Sequence, residues 1–167
     1  GFDFSFYNSI FQKIQFQDDS YYNEGAIRSS LKRITDKNII LSNELFVGQS
    51  LNLKSTNRTR TAKRLKALFP EAEIVLFLRN QLSLIQSLYA IGVYDGLYIK
   101  PEAFFHDENS SYPSFERNEI AESYKYLELV KLYESSFKKV EVFLFEDFKD
   151  DAKYFISDFS ERLNVDL

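Results

Sequence analysis

The sequence predicts an α/β fold, a three-layer domain in which helices flank a parallel sheet. Three short apolar runs, at residues 38–42, 73–78 and 140–145, alternate with longer segments of helical periodicity. Apolar runs of this kind are typical of strands that helices cover on both faces. Because a helix separates each strand from the next, we expect the strands to pair in parallel through right-handed crossovers.

The predicted helices carry apolar residues three or four positions apart. They are residues 6–16, a helix that starts at Ser20 or Asn23, and residues 59–69, 82–91, 119–137 and 151–163. Pro70 ends the helix 59–69, because a proline cannot continue a helix. Residues 98–115 contain two prolines and the polar run DENSSY, which indicates a loop.

Composition excludes several classes of protein and of site. The chain has 167 residues, enough for one domain, and 44% of them are hydrophobic, so a buried core can form. A net charge of −4 argues against a nucleic-acid partner. Cysteine is absent and His106 is the only histidine, which excludes thiolate zinc sites and multi-histidine metal centres. Neither a signal peptide nor a membrane-spanning run is visible, so a cytoplasmic location is expected.

Ligands of open parallel sheets bind beyond the carboxyl ends of the strands, so the residues after each predicted strand are the first candidates. They are Ser42, Asn43 and Glu44, then Arg79 and Asn80, then Glu146 and Asp147. Arg79 is the most informative, because a cation that ends a buried strand needs an anionic partner. That partner is either Glu44 or Glu146, or a ligand anion held with the helix N-terminus and Ser87. In the first case Ser87 serves only helix packing.

Residues 69–90, FPEAEIVLFLRNQLSLIQSLYA, resemble the nucleotide-binding segment of the sulfotransferases. In that family a strand ends in an Arg-Asn pair, and a serine follows the arginine by eight positions, as Ser87 follows Arg79. Gln81 stands where the family commonly has proline. The segments NIILSNE (38–44) and VEVFLFEDFKDDAKYFISDFSERLNV (140–165) resemble other parts of bacterial carbohydrate-type members.

This resemblance implies a fold like that of the P-loop nucleotide hydrolases. It also implies an enzyme that transfers a sulfuryl group from 3′-phosphoadenosine 5′-phosphosulfate (PAPS) to a hydroxyl. The expected acceptor is a carbohydrate. Arg79 and Ser87 would hold the 3′-phosphate of the donor. No metal is expected, because a sulfuryl group carries less negative charge than a phosphoryl group and fixed cations can suffice.

The family also has an N-terminal strand and a phosphate-cradling loop, which the resemblance leads us to seek in this chain. No glycine of the sequence begins such a loop, and the chain starts at Gly1 without any methionine. We therefore expect residues 1–167 to be one partial sulfotransferase-like domain, with the first strand and loop upstream. Alone, the chain is expected to bind the nucleotide without transferring sulfate.

Three further residues are candidates for the reaction. Glu44 is the candidate general base that removes the acceptor proton, although it could instead cap the next segment or pair with Arg79. Arg58 and Arg60 lie near the N-terminus of the helix 59–69, where cations oppose the helix dipole, so they are candidates for binding the donor or an acidic glycan. The alternative is a solvated face that they form with Lys63, Arg64 and Lys66.

Two other functions are compatible with the sequence. A nucleotide-dependent kinase of the same fold would use Glu146 or Asp147 for magnesium, although adjacent carboxylates in this position commonly cap the following helix. A non-catalytic module would hold a glycan or a nucleotide. His106 is expected to face solvent. The tyrosines of the helix 119–137 are expected to serve packing, although one could stack on a sugar or on adenine.

Overall fold

The structure, a computed structural model, describes residues 4–32, 40–47, 57–94, 96, 98, 100 and 124–166. Within these ranges the chain forms seven α-helices, one 3₁₀ turn (Glu44–Phe46) and two β-strands. The strands are β1 (Ile74–Leu78) and β2 (Val140–Leu144). The helices are α1 (Phe4–Phe16), α2 (Glu24–Leu31), α3 (Arg58–Leu68), α4 (Gln81–Tyr94), α5 (Tyr126–Glu134), α6 (Phe145–Asp150) and α7 (Ala152–Leu163). The predicted α/β class is confirmed.

The two strands form a parallel sheet in which the first residues of the strands pair with each other and so do the last residues. The register runs from Ile74 opposite Val140 to Leu78 opposite Leu144. Both strands lie where the sequence predicts them, and their parallel pairing is confirmed. Since the carboxyl ends coincide, the residues that follow β1 and those that follow β2 emerge at the same edge of the sheet.

The first predicted strand is not found. Residues 40–42 form neither helix nor strand, and Ile40 is 84% exposed; residues 38–39 lie outside the described ranges. A short apolar run does not by itself decide between strand and loop, because a strand also needs a neighbour with which to pair. The described sheet contains only β1 and β2, so the larger sheet of a three-layer P-loop-like fold stays a prediction.

Helix α7 packs against the sheet through a cluster of phenylalanines. The Asp151 side chain caps the helix by accepting a hydrogen bond from the backbone N–H of Tyr154 at 2.9 Å. Asn164 ends it in the left-handed conformation, at φ 53°. Ring contacts with centroids 5.1–6.1 Å apart join Phe155 and Phe159 of α7 to Phe77 and Phe143 of the strands.

The main core lies among α1, α2, α3, α5 and β1. Ala62, Leu65 and Leu68 of α3 are buried, as their helical spacing predicts. Tyr133 of α5 is the largest fully buried side chain of the described residues, and its hydroxyl donates to the carbonyl oxygen of Phe46 at 2.8 Å. This bond ties the 3₁₀ turn to α5.

Helix α4 is the most apolar helix of the described chain. It has 14 residues, none charged and none buried, and it is longer at both ends than the predicted helix 82–91. Among the helices of the described ranges, none combines the length and the apolar character needed to cross a bilayer.

Candidate functional site

A cleft of about 610 Å³ opens at the carboxyl ends of β1 and β2. Residues 78–81 line one side, residues 125–128 line the other, and Leu144 and Glu146 complete it. A cleft of this size can hold a ligand as large as a nucleotide. Its position is the one that the parallel sheet predicts for a ligand.

Asn80 forms the turn between β1 and α4 and caps the helix. Its Oδ1 accepts a hydrogen bond from the Ser83 N–H at 3.1 Å, and its carbonyl oxygen accepts one from the Leu84 N–H at 2.9 Å. The Asn80 N–H donates to Oε1 of Glu146 at 2.9 Å. The carboxylate at the end of β2 therefore holds the turn at the end of β1, and its charge is favourable beside the N-terminus of α4.

Arg79 lines the cleft, and its two terminal nitrogens have no hydrogen-bond acceptor among the described residues. Its Nε donates to Oγ of Ser83 at 3.3 Å, and its guanidinium carbon lies 5.4 Å from the centroid of the Phe145 ring. In the part of the chain that the structure describes, Arg79 forms no ion pair with Glu44 or Glu146, the two partners that the sequence suggests, and Nη1 and Nη2 have no hydrogen-bond acceptor.

Tyr126 contributes a hydroxyl to the same cleft. Burial raises the pKa of Tyr126, and the nearby Glu146 carboxylate raises it further, while a hydrogen bond with the backbone of Arg79 and the charge of Arg79 lower it. The net effect is a raised pKa, so the hydroxyl stays protonated at neutral pH. The sequence predicts a packing role for this tyrosine, with stacking on a sugar or on adenine as the alternative, because its place at the start of α5 shows no distinguishing pattern.

Sequence reasoning placed Asn80 at the strand end and noted Gln81 against the family pattern, but it assigned no contact to either residue and no role to Ser83. Asn80 and Ser83 form an Asn-x-x-Ser pair at a helix start, a spacing typical of a helix cap that could have been recognised. Gln81 donates from Nε2 to the carbonyl oxygen of Tyr124 at 2.6 Å and so joins the first turn of α4 to the start of α5. That contact has no local signal in the sequence.

Glu44 lies apart from the lining of the cleft. It begins the 3₁₀ turn and its side chain is exposed. The backbone around it is fixed by Gln15, whose Nε2 donates to Oδ1 of Asn43 at 3.0 Å, and by an edge contact between Phe11 and Phe46, with ring centroids 5.4 Å apart. Ser87 is half-buried on α4 and is also absent from the cleft lining. The roles of Glu44 and Ser87 stay predictions.

The basic residues of α3 are not one solvated face. Arg64 is only 5% exposed, and its Nη1 donates to the carbonyl oxygens of Lys13 and Ile14, at 3.1 Å each. Its Nη2 pairs with Asp19. The expectation that Arg64 belongs to an exposed face is wrong, because the last carbonyls of α1 lack partners within their own helix and attract a cation.

Arg60 and Arg58 also have neighbours within the protein. Nη2 of Arg60 donates to the carbonyl oxygen of Gln15 at 3.1 Å, so this cation has a partner within the protein at the end of α1, whereas the sequence suggests an anionic ligand for it. Burial raises the pKa of Tyr133 to about 12, and the charge of Arg58 acts in the opposite direction with a smaller effect. A role of Arg58 and Arg60 in substrate binding stays a prediction.

The two acidic residues after β2, Glu146 and Asp147, make different contacts. Glu146 holds the turn at Asn80, and the Asp147 carbonyl accepts the N–H of Asp151 at 3.0 Å. The two residues belong to α6, a helix that the sequence does not predict, and Asp151 rather than either of them caps α7. Within the described ranges no group of three or more carboxylates or histidines is arranged to hold a metal ion, and His106 lies outside these ranges.

Comparison of the chain with known protein families, with curated proteins and with solved structures found no match.

Proposed function

We propose that this chain is part of a sulfotransferase that binds PAPS in the cleft at the carboxyl ends of β1 and β2 and directs its sulfuryl group to a hydroxyl, with carbohydrates as the acceptor class. One observation carries the proposal. Arg79, the arginine of the Arg-Asn…Ser pattern, directly follows β1 and lines the cleft with Nη1 and Nη2 unbonded among the described residues.

The chemistry of a guanidinium supports an anion as the ligand. Two terminal nitrogens in one plane match two oxygens of a phosphate, and such charge-assisted pairs are about twice as strong as neutral hydrogen bonds. The N-terminal end of α4 adds positive potential at the same place. Ser87 lies one turn beyond Ser83 on the same side of α4, and we propose that it completes the site for the 3′-phosphate.

In the proposed reaction the acceptor oxygen attacks sulfur in line with the leaving group. The bond between sulfur and the bridging oxygen breaks, and adenosine 3′,5′-bisphosphate leaves. Glu44 is proposed to take the proton of the attacking hydroxyl. Its side chain is exposed, and a carboxylate that a ligand can reach is able to act as a general base.

Calorimetric titration tests the donor site on this chain. Adenosine 3′,5′-bisphosphate should bind more tightly than 5′-AMP, because only the former carries the phosphate that Arg79 and Ser87 are proposed to hold. Arg79→Ala should raise the dissociation constant by about 10- to 150-fold, which corresponds to the loss of a charged hydrogen bond of about 1.5–3 kcal/mol. Ser87→Ala should have a smaller effect, because it removes one uncharged donor.

Lys63→Ala is the matched control, since Lys63 is an exposed cation of α3 whose loss changes the net charge equally. Equal affinity for the two nucleotides would refute the 3′-phosphate assignment. Magnesium-dependent binding of ATP together with a phosphorylated product would instead indicate the kinase. Binding of a glycan without any nucleotide would indicate the non-catalytic module.

A further inference from the structure

The hydroxyl of Ser83 makes two different hydrogen bonds in the turn that begins α4. It donates its single proton to the carbonyl oxygen of Asn80 at 3.0 Å and accepts the Nε–H of Arg79 at 3.3 Å. A hydroxyl has one proton and two lone pairs. Because the Ser83 proton is directed to Asn80, a lone pair of the Ser83 oxygen faces Arg79. The direction of the hydrogen bond from the Arg79 Nε–H is thereby fixed.

Holding Nε determines where the rest of the guanidinium points. The group is planar, so fixing the direction of the Nε–H bond also fixes the plane in which the N–H bonds of Nη1 and Nη2 lie. The Phe145 ring, 5.4 Å from the guanidinium carbon, limits rotation of the same plane. Arg79 is thereby oriented before a ligand arrives, which reduces the entropy lost when an anion binds.

The carbonyl that receives the Ser83 proton is itself fixed from the neighbouring strand. Glu146, just after β2, accepts the Asn80 N–H at 2.9 Å, and Oδ1 of Asn80 accepts the Ser83 N–H at 3.1 Å. A continuous series of hydrogen bonds therefore runs from the end of β2 through Asn80 and Ser83 to Arg79.

We propose that Ser83 is a positioning residue that orients Arg79 toward the phosphate of a nucleotide in the cleft, and that Glu146 fixes the turn on which this orientation depends. This inference rests on the proposed nucleotide-binding function. Ser83 acts through Arg79 and does not itself contact the ligand, which separates its role from that of Ser87.

A double-mutant cycle with adenosine 3′,5′-bisphosphate as the probe tests this dependence. Ser83→Ala should raise the dissociation constant about three- to tenfold when Arg79 is present, the usual effect of losing one hydrogen bond. In the Arg79→Ala background the same substitution should change nothing, because no guanidinium remains to be oriented. Ser83→Thr keeps the hydroxyl and should restore most of the affinity.

Ser135→Ala is the matched control. Its Oγ also donates to the carbonyl oxygen three residues earlier, that of Leu132, at 2.7 Å. Ser135 follows the last residue of α5, whereas the first residues of α5 line the cleft. This variant should bind the nucleotide as the unmodified chain does. Melting temperatures measured on each preparation separate a loss of orientation from a loss of folding.

The possible failures are distinguishable. An equal loss from Ser83→Ala with and without Arg79, or no rescue by Ser83→Thr, would overturn the positioning role while leaving the nucleotide site intact. No preference of the unmodified chain for adenosine 3′,5′-bisphosphate over 5′-AMP would overturn the proposed function and, with it, the role of Ser83.

Discussion

Replacing Arg64 by methionine tests whether the basic helix α3 serves the fold or a ligand. Methionine keeps a long apolar side chain and removes only the charged head. In the structure that head is 5% exposed and donates to the carbonyl oxygens of Lys13 and Ile14. It also lies 3.9 Å from the centroid of the Tyr22 ring. We expect a large loss of stability and no direct effect on a ligand.

The size of the expected loss of stability follows from the acceptor groups that Arg64→Met leaves without a donor. The bond to the Ile14 carbonyl is buried, and a buried carbonyl that loses its donor costs about 1–3 kcal/mol. The bond to the Lys13 carbonyl is partly buried, so water can replace the donor at a lower cost. Loss of a cation at the C-terminus of α1 removes up to about 2 kcal/mol. The pair with Asp19 adds little, since that carboxylate is 75% exposed. Arg64→Met should therefore lower the free energy of unfolding by about 3 kcal/mol.

Urea unfolding followed by circular dichroism measures this loss. Lys63→Met, one residue away on the same helix but exposed, is the control and should change the free energy of unfolding by less than about 0.5 kcal/mol. A loss below about 1 kcal/mol for Arg64→Met, close to that of the control, would show that the carbonyls of α1 do not depend on this guanidinium. The structural role assigned to the basic residues would then be refuted.

Three other predictions concern Tyr133, Asp151 and Glu44. Burial raises the pKa of Tyr133 to about 12 from the ordinary 10.0, so the unfolded chain loses the proton first, and stability that is complete below about pH 10 should fall by about 2–3 kcal/mol as the pH rises toward 12. Urea titrations should show that Tyr133→Phe reduces the decline by this amount, whereas Tyr21→Phe, at an exposed position, leaves it unchanged. Asp151→Ala should cost about 1 kcal/mol of unfolding free energy through loss of the α7 cap, and Asp151→Asn should recover most of it; equal losses in the two variants would contradict the cap. In a form of the protein that transfers sulfate, Glu44→Gln should leave the affinity for adenosine 3′,5′-bisphosphate nearly unchanged while lowering the rate of transfer by about 10²–10⁴-fold, and an unchanged rate would rule out Glu44 as the base.

Local patterns of the sequence were sufficient for most elements of the fold. The apolar runs 73–78 and 140–145 predicted β1 and β2 to within a residue, and the intervening helices predicted their parallel pairing. The spacing of Ala62, Leu65 and Leu68 predicted which side of α3 is buried. These features depend on residues a few positions apart, whose repeat and caps are set by backbone geometry.

The candidate site was predicted in part. Placing Arg79, Asn80 and Glu146 at one edge of the sheet required only parallel strands, and all three line the cleft. The bond from Asn80 to Glu146 joins residues 66 positions apart, and no local pattern encodes which carboxylate faces which amide. Helix α6 was missed because its six residues, Phe145–Asp150, were taken as the end of a strand and a turn.

Tertiary structure alone decided the direction of the charged side chains. The sequence by itself determined that α3 is a basic amphipathic helix. Only packing brought the end of α1 against it, so that Arg64 is buried while Lys63, one position earlier, is exposed. Likewise, an apolar run at residues 38–42 could not determine a strand, because residues 40–42 have no strand partner in the described sheet. Helical and strand periodicity are local properties of a chain. The hydrogen-bond partner of a charged side chain and the neighbour of a strand depend instead on how distant segments pack together.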